Sequence, residues 1–293
     1  MTNIGLYNGY TIKRKYSSIL KLNKQINLHP FFITGFSDGE SYFSINIVKS
    51  SRMKLGWTVY LQFGIRLHIK DNQLLNLIQG YFNAGNITLG KELCQYRVTS
   101  IKDLDIIINH FDNYPLITQK CSDYQLFKLV FDIVKNRNHL TKDGLNKIIS
   151  IKSSMNLGLA NELKLAFPNI NPIARPKVSN SLIQDPNWLS GFVSAEGNFT
   201  VNITNSTTKV GKQVMFNISQ HSRDAELLQN ICNYLECGKY YLSIKRKEGT
   251  VTVTKFSDID LKIIPFYKDY PIIGIKGLDF EDFCKIEELV KNK

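Results

Sequence analysis

Two glutamates, Glu40 and Glu196, each close a short run of small and apolar residues, and the two runs match. Residues 29–47 read HPFFITGFSDGESYFSINI and residues 185–203 read DPNWLSGFVSAEGNFTVNI. One offset relates Pro30 to Pro186, Gly35 to Gly191, Phe36 to Phe192 and Glu40 to Glu196 (186 − 30 = 196 − 40 = 156). Proline opens a helix at its first turn, where its missing N–H costs nothing. Asp185 is a good N-cap for the second run and His29 a poorer one for the first. Gly35 and Gly39 lie four apart on one helix face, as do Gly191 and Ala195, so two such helices can bring their backbones together. Phe32, Phe36, Trp188 and Phe192 then turn into separate cores. Glu40 and Glu196 meet at one end of this seam. Two carboxylates beside the partial negative ends of two helices repel each other, and a divalent cation would offset that charge. Carboxylates and free helix carbonyls are hard oxygen ligands, suited to Mg²⁺, Ca²⁺ or Mn²⁺.

The elements that must position this pair are duplicated too. Tyr42–Ser50 alternates apolar Phe43, Ile45 and Ile47 with a largely polar face, and Trp57–His68 follows as a second strand. Phe199, Val201 and Ile203 repeat the alternation, followed by Val214–His221. Leu74–Gly85 parallels Leu227–Gly238, each an amphipathic helix predicted to stop at its glycine. Tyr114-Pro115-Leu116-Ile117 parallels Tyr270-Pro271-Ile272-Ile273, with Lys120 and Lys276 each 80 positions after its glutamate (120 − 40 = 276 − 196 = 80). Each half reads helix–strand–strand–helix–strand–strand–helix, an α+β pattern, and the first half adds helices through Phe167. The chain divides into a basic N-terminal arm (1–24), a first half (25–167), a linker rich in Pro, Asn and Ser (168–185) and a second half (186–293). Residues 1–37 contain no acid but do contain Lys13, Arg14, Lys15, Lys21 and Lys24. Such a start suits an organelle transit peptide, a disordered arm or a leader retained from an upstream reading frame.

Apolar residues make up 43% of the chain, which excludes a disordered protein, and no apolar run is long enough to span a bilayer. The five cysteines lack the paired spacing of a zinc site and read as reduced, mostly buried thiols. A net charge of +12 favours a polyanionic partner, nucleic acid before an anionic membrane. Polar side chains on an outward sheet face can read base edges in a major groove. Tyr42, Ser44, Asn46, Gln62 and Arg66 are candidates in the first half, and Asn198, Thr200, Asn202, Gln213, Asn217 and Ser219 in the second.

GFSDGES (35–41) and GFVSAEG (191–197), with the repeat around them, resemble the motifs of the LAGLIDADG homing endonucleases in their single-chain, two-repeat form. YPLITQK (114–120) and AFP (166–168) are typical of the fungal organellar, intron-encoded group. The resemblance implies two pseudo-symmetric αββαββα repeats with the motif helices packed at the interface. Two curved antiparallel sheets would form a DNA-binding saddle, in a monomer. The implied activity is site-specific cutting of both strands of double-stranded DNA at a long asymmetric target, by metal-assisted in-line attack on the phosphodiester. Mg²⁺ is the implied cofactor, with Mn²⁺ active and Ca²⁺ supporting binding without efficient cleavage, and the implied location is mitochondrial. The family's metal-binding acids carry over to Glu40 and Glu196, its metal-facing main-chain carbonyls to Gly39 and Ala195, its basic residues to Lys120 and Lys276, and its water-ordering glutamine to Gln220.

Three departures bear on symmetry. Position 41 is Ser where the motif has Gly, Asp38 is matched only by Ser194, and Leu67 stands where the second half has Gln220. One strand is therefore expected to be cut more slowly. The family also contains RNA maturases, so host intron RNA is the alternative partner. Tight binding to that RNA without cleavage of the intronless DNA would favour it. A DNA-binding regulator would need neither paired acids nor metal, and a retaining glycosidase fits the basic balance badly.

Overall fold

The computed structural model describes residues 27–156, 158–178, 181–205 and 210–292, with backbone alone for 203–205 and 210–212. The N-terminal arm (1–24) lies outside the described residues. The first half runs α1 (Pro30–Glu40), β1 (Ser41–Lys49), β2 (Trp57–His68), α2 (Asn72–Phe82), β3 (Asn86–Leu89), β4 (Leu93–Val98), α3 (Ile101–Asn113) and α4 (Lys120–Lys135), then α5 (Lys142–Ser153) and α6 (Asn161–Ala166). The second runs α7 (Pro186–Glu196), β5 (Gly197–Asn205), β6 (Val210–His221), α8 (Ala225–Leu235), β7 (Lys239–Ser243), β8 (Glu248–Val253), a helical stretch made of α9 (Phe256–Asp258), a π-turn (Ile259–Ile263) and α10 (Ile264–Asp269), and finally α11 (Ile275–Lys291). No described helix is long and apolar enough to cross a membrane.

Each half holds one four-stranded antiparallel sheet, in the orders β1-β2-β4-β3 and β5-β6-β8-β7. Register is set by alternation. Phe43, Ile45 and Ile47 on β1 and Leu61, Phe63 and Ile65 on β2 are buried, with Ser41 paired to Ile65 and Phe43 to Phe63. A slip of one residue would turn this whole set to solvent. The second sheet repeats the pairing, Gly197 to Ile218 and Phe199 to Phe216. The strands differ from expectation only in extent: β1 starts and ends one residue earlier, and β6 begins at Val210 instead of Val214.

Two expectations are corrected. First, α2 and α8 are ended not by glycine but by Asn83 (φ 48°) and Glu236 (φ 51°) in the left-handed region. Gly85 and Gly238 follow at positive φ, and a Cβ on Gly85 would lie 2.5 Å from Arg97 O, so the glycine serves the next turn instead. Second, the single helix that closes each repeat in the sequence pattern is divided, into α3 and α4 in the first half, before the expected extra helices α5 and α6, and into the α9–α10 stretch and α11 in the second. The breaks fall at Tyr114 and Tyr270, each followed by proline, which disfavours helical φ/ψ in the residue before it.

Phe32 and Phe36 belong to the core of the first half, Trp188 and Phe192 to that of the second. The loops between the last two helices trade places. Ile117 of the first half is buried in the second core, and Ile273 of the second packs on the first. Residues 168–178 and 181–185 carry no helix or strand. They cross from one half to the other through Ser122 Oγ donating to Pro176 O (2.7 Å) and Asn230 Nδ2 donating to Ser181 O (3.3 Å). All five thiols are free. Cys94 and Cys237 are buried and the other three half-buried, fewer buried than expected.

One buried histidine gives the fold an acid limit. Thr34 Oγ1 donates its only hydrogen to Tyr114 O (2.9 Å), so at 3.2 Å from His110 Nε2 it must accept. His110 is thus protonated on Nε2, and Nδ1 accepts from Tyr81 OH (3.1 Å). Burial lowers its pKa to about 3, from the ordinary value of 6.5. The unfolded chain takes up this proton first, so stability is complete above pH 6.5 and falls as pH drops below it. About 2 kcal/mol should be lost between pH 7 and pH 5 through this residue. Urea titrations at the two pH values, on the wild type and on His110→Gln, check it: the variant should lose markedly less, and equal losses would remove His110 as the cause.

Candidate active site

Small residues let α1 and α7 touch along their backbones. A Cβ on Gly35 would meet Trp188 C at 2.8 Å and Phe192 N at 2.9 Å, and lie closer still to Trp188 O. Gly191 is the mirror case, with Phe36 N at 2.8 Å and Phe32 C at 2.9 Å. Further along, Gly39 faces the Ala195 methyl, and Glu196 Oε1 lies 3.4 Å from where a Gly39 Cβ would stand. The seam therefore delivers Glu40 and Glu196 to one end, as the repeat predicts.

Both carboxyls are pushed above the ordinary carboxylate range, mainly by burial. The two charges also repel, so ionising one raises the cost of ionising the other. Two ammonium groups oppose this. Lys120 Nζ, at the first residue of α4, donates to Gly39 O (2.8 Å) and Ser37 O (2.7 Å). Lys276 Nζ, in the first turn of α11, donates to Ala195 O (2.5 Å). Burial lowers the pKa of Lys120 to about 8 and also lowers that of Lys276, while the nearby carboxylates pull both back up. Gln220 Nε2 donates to Glu196 Oε1 (3.3 Å) and its Oε1 accepts from His221 N–H (2.8 Å). Leu67, at the matching end of β2, is buried and offers no polar group. The two sides of the site are chemically unequal.

Asp38 and Ser194 do matched structural work. Asp38 is buried; its Oδ2 accepts from Ile117 N–H (3.1 Å) and across the seam from the Trp188 indole (2.8 Å). Its Oδ1 accepts from the amide (3.2 Å) and hydroxyl (2.5 Å) of Thr118. Ser194 Oγ accepts from Ile273 N–H at 3.1 Å, the counterpart of Ile117. Ser41, the departure from the motif, donates its hydroxyl to Ser37 O (2.7 Å).

The outward sheet faces carry the expected polar groups. In the first sheet Asn46 and Arg66 are exposed and Tyr42, Ser44 and Gln62 half-buried. Tyr42 OH accepts from both Gln62 Nε2 and Gln95 Nε2, so this hydroxyl is already engaged within the sheet. In the second sheet Asn198, Asn202 and Gln213 are exposed, and Thr200, Asn217 and Ser219 half-buried. Thr200 Oγ1 donates to Asn198 Oδ1 (2.7 Å) and Ser219 shares a hydrogen bond with Thr250 (3.0 Å). The pairing adds residues not expected from sequence: Gln95, Arg97, Asn86 and Thr88 in the first sheet, and Thr250, Thr252, Lys239 and Tyr241 in the second. Their place in the alternation was the available signal. Asp71 and Asp224, bonded across the halves to the amides of Ile275 and Gln119 beside the two lysines, carry no comparable signal in the local sequence.

The LAGLIDADG endonuclease family model matches residues 33–131 and 189–287. "Probable intron-encoded endonuclease 3" of Neurospora crassa is 40% identical over 97% of this chain, and "Probable intron-encoded endonuclease 2" of the same fungus is 39% identical over 96%. The chain spans 54% and 66% of the lengths of these two relatives. Among solved structures, the I-SmaMI LAGLIDADG homing endonuclease bound to cleaved DNA is 40% identical with a TM-score of 0.88, covering 90% of each chain. I-SmaMI bound to uncleaved DNA target in the presence of calcium ions has the same identity and score, covering 90% of this chain and 92% of that one.

Proposed function

We propose, from the premise that this chain belongs to the LAGLIDADG endonuclease family, that it is a monomeric, site-specific endonuclease that cuts both strands of double-stranded DNA. The observation that carries the reading is the convergence of Glu40 and Glu196 at one end of the helix seam, flanked by Lys120 and Lys276. A net charge of +12 and two outward polar sheet faces suit a long anionic duplex. The relatives' origin in fungal introns supports an organellar, mitochondrial setting.

The donor set fits a divalent cation. Two carboxylates are hard oxygen donors, as are the main-chain carbonyls of Gly39 and Ala195, which are not free as expected but each keep a second lone pair beside the lysine hydrogen bond, and the mutual repulsion of the acids gives a cation a place to act. When bound, Mg²⁺ supplies Lewis-acid activation of water and offsets charge on the leaving oxygen. The chain's own groups do the rest. Glu40 and Glu196 hold negative charge at the seam. Lys120 and Lys276 place ammonium charge beside the carbonyls of Gly39 and Ala195, where a phosphate's developing charge would be met. Gln220 orders the Glu196 side with an amide that both donates and accepts. Leu67, at the matching position of the other half, offers no such group.

DNA spanning the intron-insertion junction of the gene itself is the substrate to try. With Mg²⁺ the duplex should be cut on both strands; with Ca²⁺ it should be bound with a rate lower by on the order of 10²-fold or more, because looser coordination positions the nucleophile poorly. Binding and strand-resolved cleavage, measured side by side, test this. Full-rate cutting in excess chelator would overturn the metal assignment, and absence of duplex binding would overturn the function.

A further inference from the structure

The N-cap residues of the helices that carry Lys120 and Lys276 supply no side-chain cap, although in α4 the Thr118 hydroxyl accepts from Lys120 N–H at 3.2 Å. Gln119, the N-cap of α4, makes no side-chain cap bond, and α11 is preceded by Gly274. Their leading amides find acceptors in the opposite half. Gln119 N–H donates to Asp224 Oδ1 at 2.6 Å, and Ile275 N–H donates to Asp71 Oδ1 at 2.8 Å. The donors are matched positions of the repeat (275 − 119 = 156) and so are the acceptors (224 − 71 = 153, the offset that also relates Gln220 to Leu67).

The two aspartates sit where such residues ordinarily serve their own helix. Asp71 is the N-cap of α2 and Asp224 the N-cap of α8, yet neither side chain caps its own helix. Asp224 is buried despite its charge. Its second oxygen lies 3.8 Å from Arg223 Nε. Gly274 has φ +91°, and a Cβ there would stand 2.7 Å from Asp71 Oδ1, so the chain leaves room for this approach. The surrounding loops are exchanged in the same sense, with Ile117 buried in the second core and Ile273 packed on the first.

We infer that Asp71 and Asp224 are positioning residues that cap, from the opposite half, the helices presenting the two active-site lysines, so that each cutting centre depends on a carboxylate of the other half. A charged oxygen at a helix N-terminus satisfies an amide that would otherwise be unpaired and adds a favourable dipole interaction. From Asp224 the link runs through the first turn of α4 to Lys120 and Gly39 O. From Asp71 it runs through α11 to Lys276 and Ala195 O. The inference rests on the nuclease reading only for its effect on cutting. The capping itself is a property of the fold.

The test uses the full chain with Asp71→Ala, Asp224→Ala and the two Asn variants, which keep an acceptor oxygen but not the charge. The probe is a duplex recovered by selecting cleaved members of a randomised pool with the wild type and Mg²⁺, labelled on one strand at a time. Asp224→Ala should slow, by about 10-fold or more, the strand that Lys120→Ala slows most, with the other strand and the duplex Kd little changed. Asp71→Ala should do the same for the strand governed by Lys276. Asn should restore most of the rate in each case. Equal slowing of both strands, or no recovery with Asn, would mean a general structural role and overturn the inference. Amide hydrogen exchange on free protein is the second arm. Asp224→Ala should expose Gln119 and the first turn of α4 while leaving α11 protected, and Asp71→Ala the reverse. If the wild type cuts no duplex, the nuclease reading fails and this exchange pattern alone decides: crossed loss of protection upholds the capping, and uniform or absent loss overturns it.

Discussion

Glu40→Gln, and separately Glu196→Gln, should abolish Mg²⁺-dependent cutting of both strands while leaving DNA binding intact or slightly tighter. The substitution is nearly isosteric, so the seam and its glycine contacts are undisturbed. What changes is charge. A neutral amide gives a cation one anionic oxygen donor group fewer, and the remaining carboxylate faces less repulsion and loses its need for a counter-charge. The expected loss is on the order of 10³-fold in single-turnover rate. Binding should survive because the outward sheet faces and the net charge of +12 are unchanged, and one negative group near the phosphates has been removed. Single-turnover cleavage and gel-shift titration on the same duplex separate the two effects. Wild-type cutting by the double variant would sink the assignment of these acids, and loss of binding in step with cutting would make them structural.

The acids and lysines were legible in the sequence because duplication turns weak signals into paired ones. A glutamate at one helix end says little, but the same glutamate at a matched position, with a lysine 80 residues on in both copies, constrains the geometry. Alternation on β1 and β5 likewise sufficed to divide core from outward face. What was not legible lies in contacts between distant segments. Tyr42 looked like a free base-reading hydroxyl. Its engagement by Gln95 depends on β2 pairing with both β1 and β4, which local alternation does not specify. Asp71 and Ile275 are 204 positions apart, and an aspartate before a helix reads as an ordinary cap until the opposite half is in view. The glycines after α2 and α8 misled for a local reason. Asn83 and Glu236 take the left-handed turn first, which polar residues tolerate at modest cost. The split of the last helix is signalled by Tyr-Pro in both halves, a short break that the helical pattern on either side obscures.

The seam itself should be the most mutation-sensitive place in the fold. In Gly35→Ala the added methyl has no empty space to enter. Its neighbours are the carbonyl of Trp188 and the amide of Phe192, backbone atoms of a helix, which cannot rotate away as a side chain can. The two helices would have to separate, and separation would also stretch the Trp188 indole from Asp38, now at 2.8 Å. A loss of ~3 kcal/mol or more is expected, lowering Tm by roughly 6–12 °C if the halves unfold together. Gly80 is the control. It lies exposed in α2, and an added methyl there would have nothing within 4 Å, so Gly80→Ala should stabilise by about 0.5–1 kcal/mol through helix propensity alone. Opposite signs for one chemical change, read by thermal and urea unfolding, would establish that α1 and α7 meet backbone to backbone. A neutral Gly35→Ala would mean the helices stand further apart than described. Cleavage should fall with the seam even at temperatures where the variant remains folded, because moving α1 from α7 moves Glu40 from Glu196, and a displacement of about 1 Å at a reacting centre can cost on the order of 10²-fold in rate.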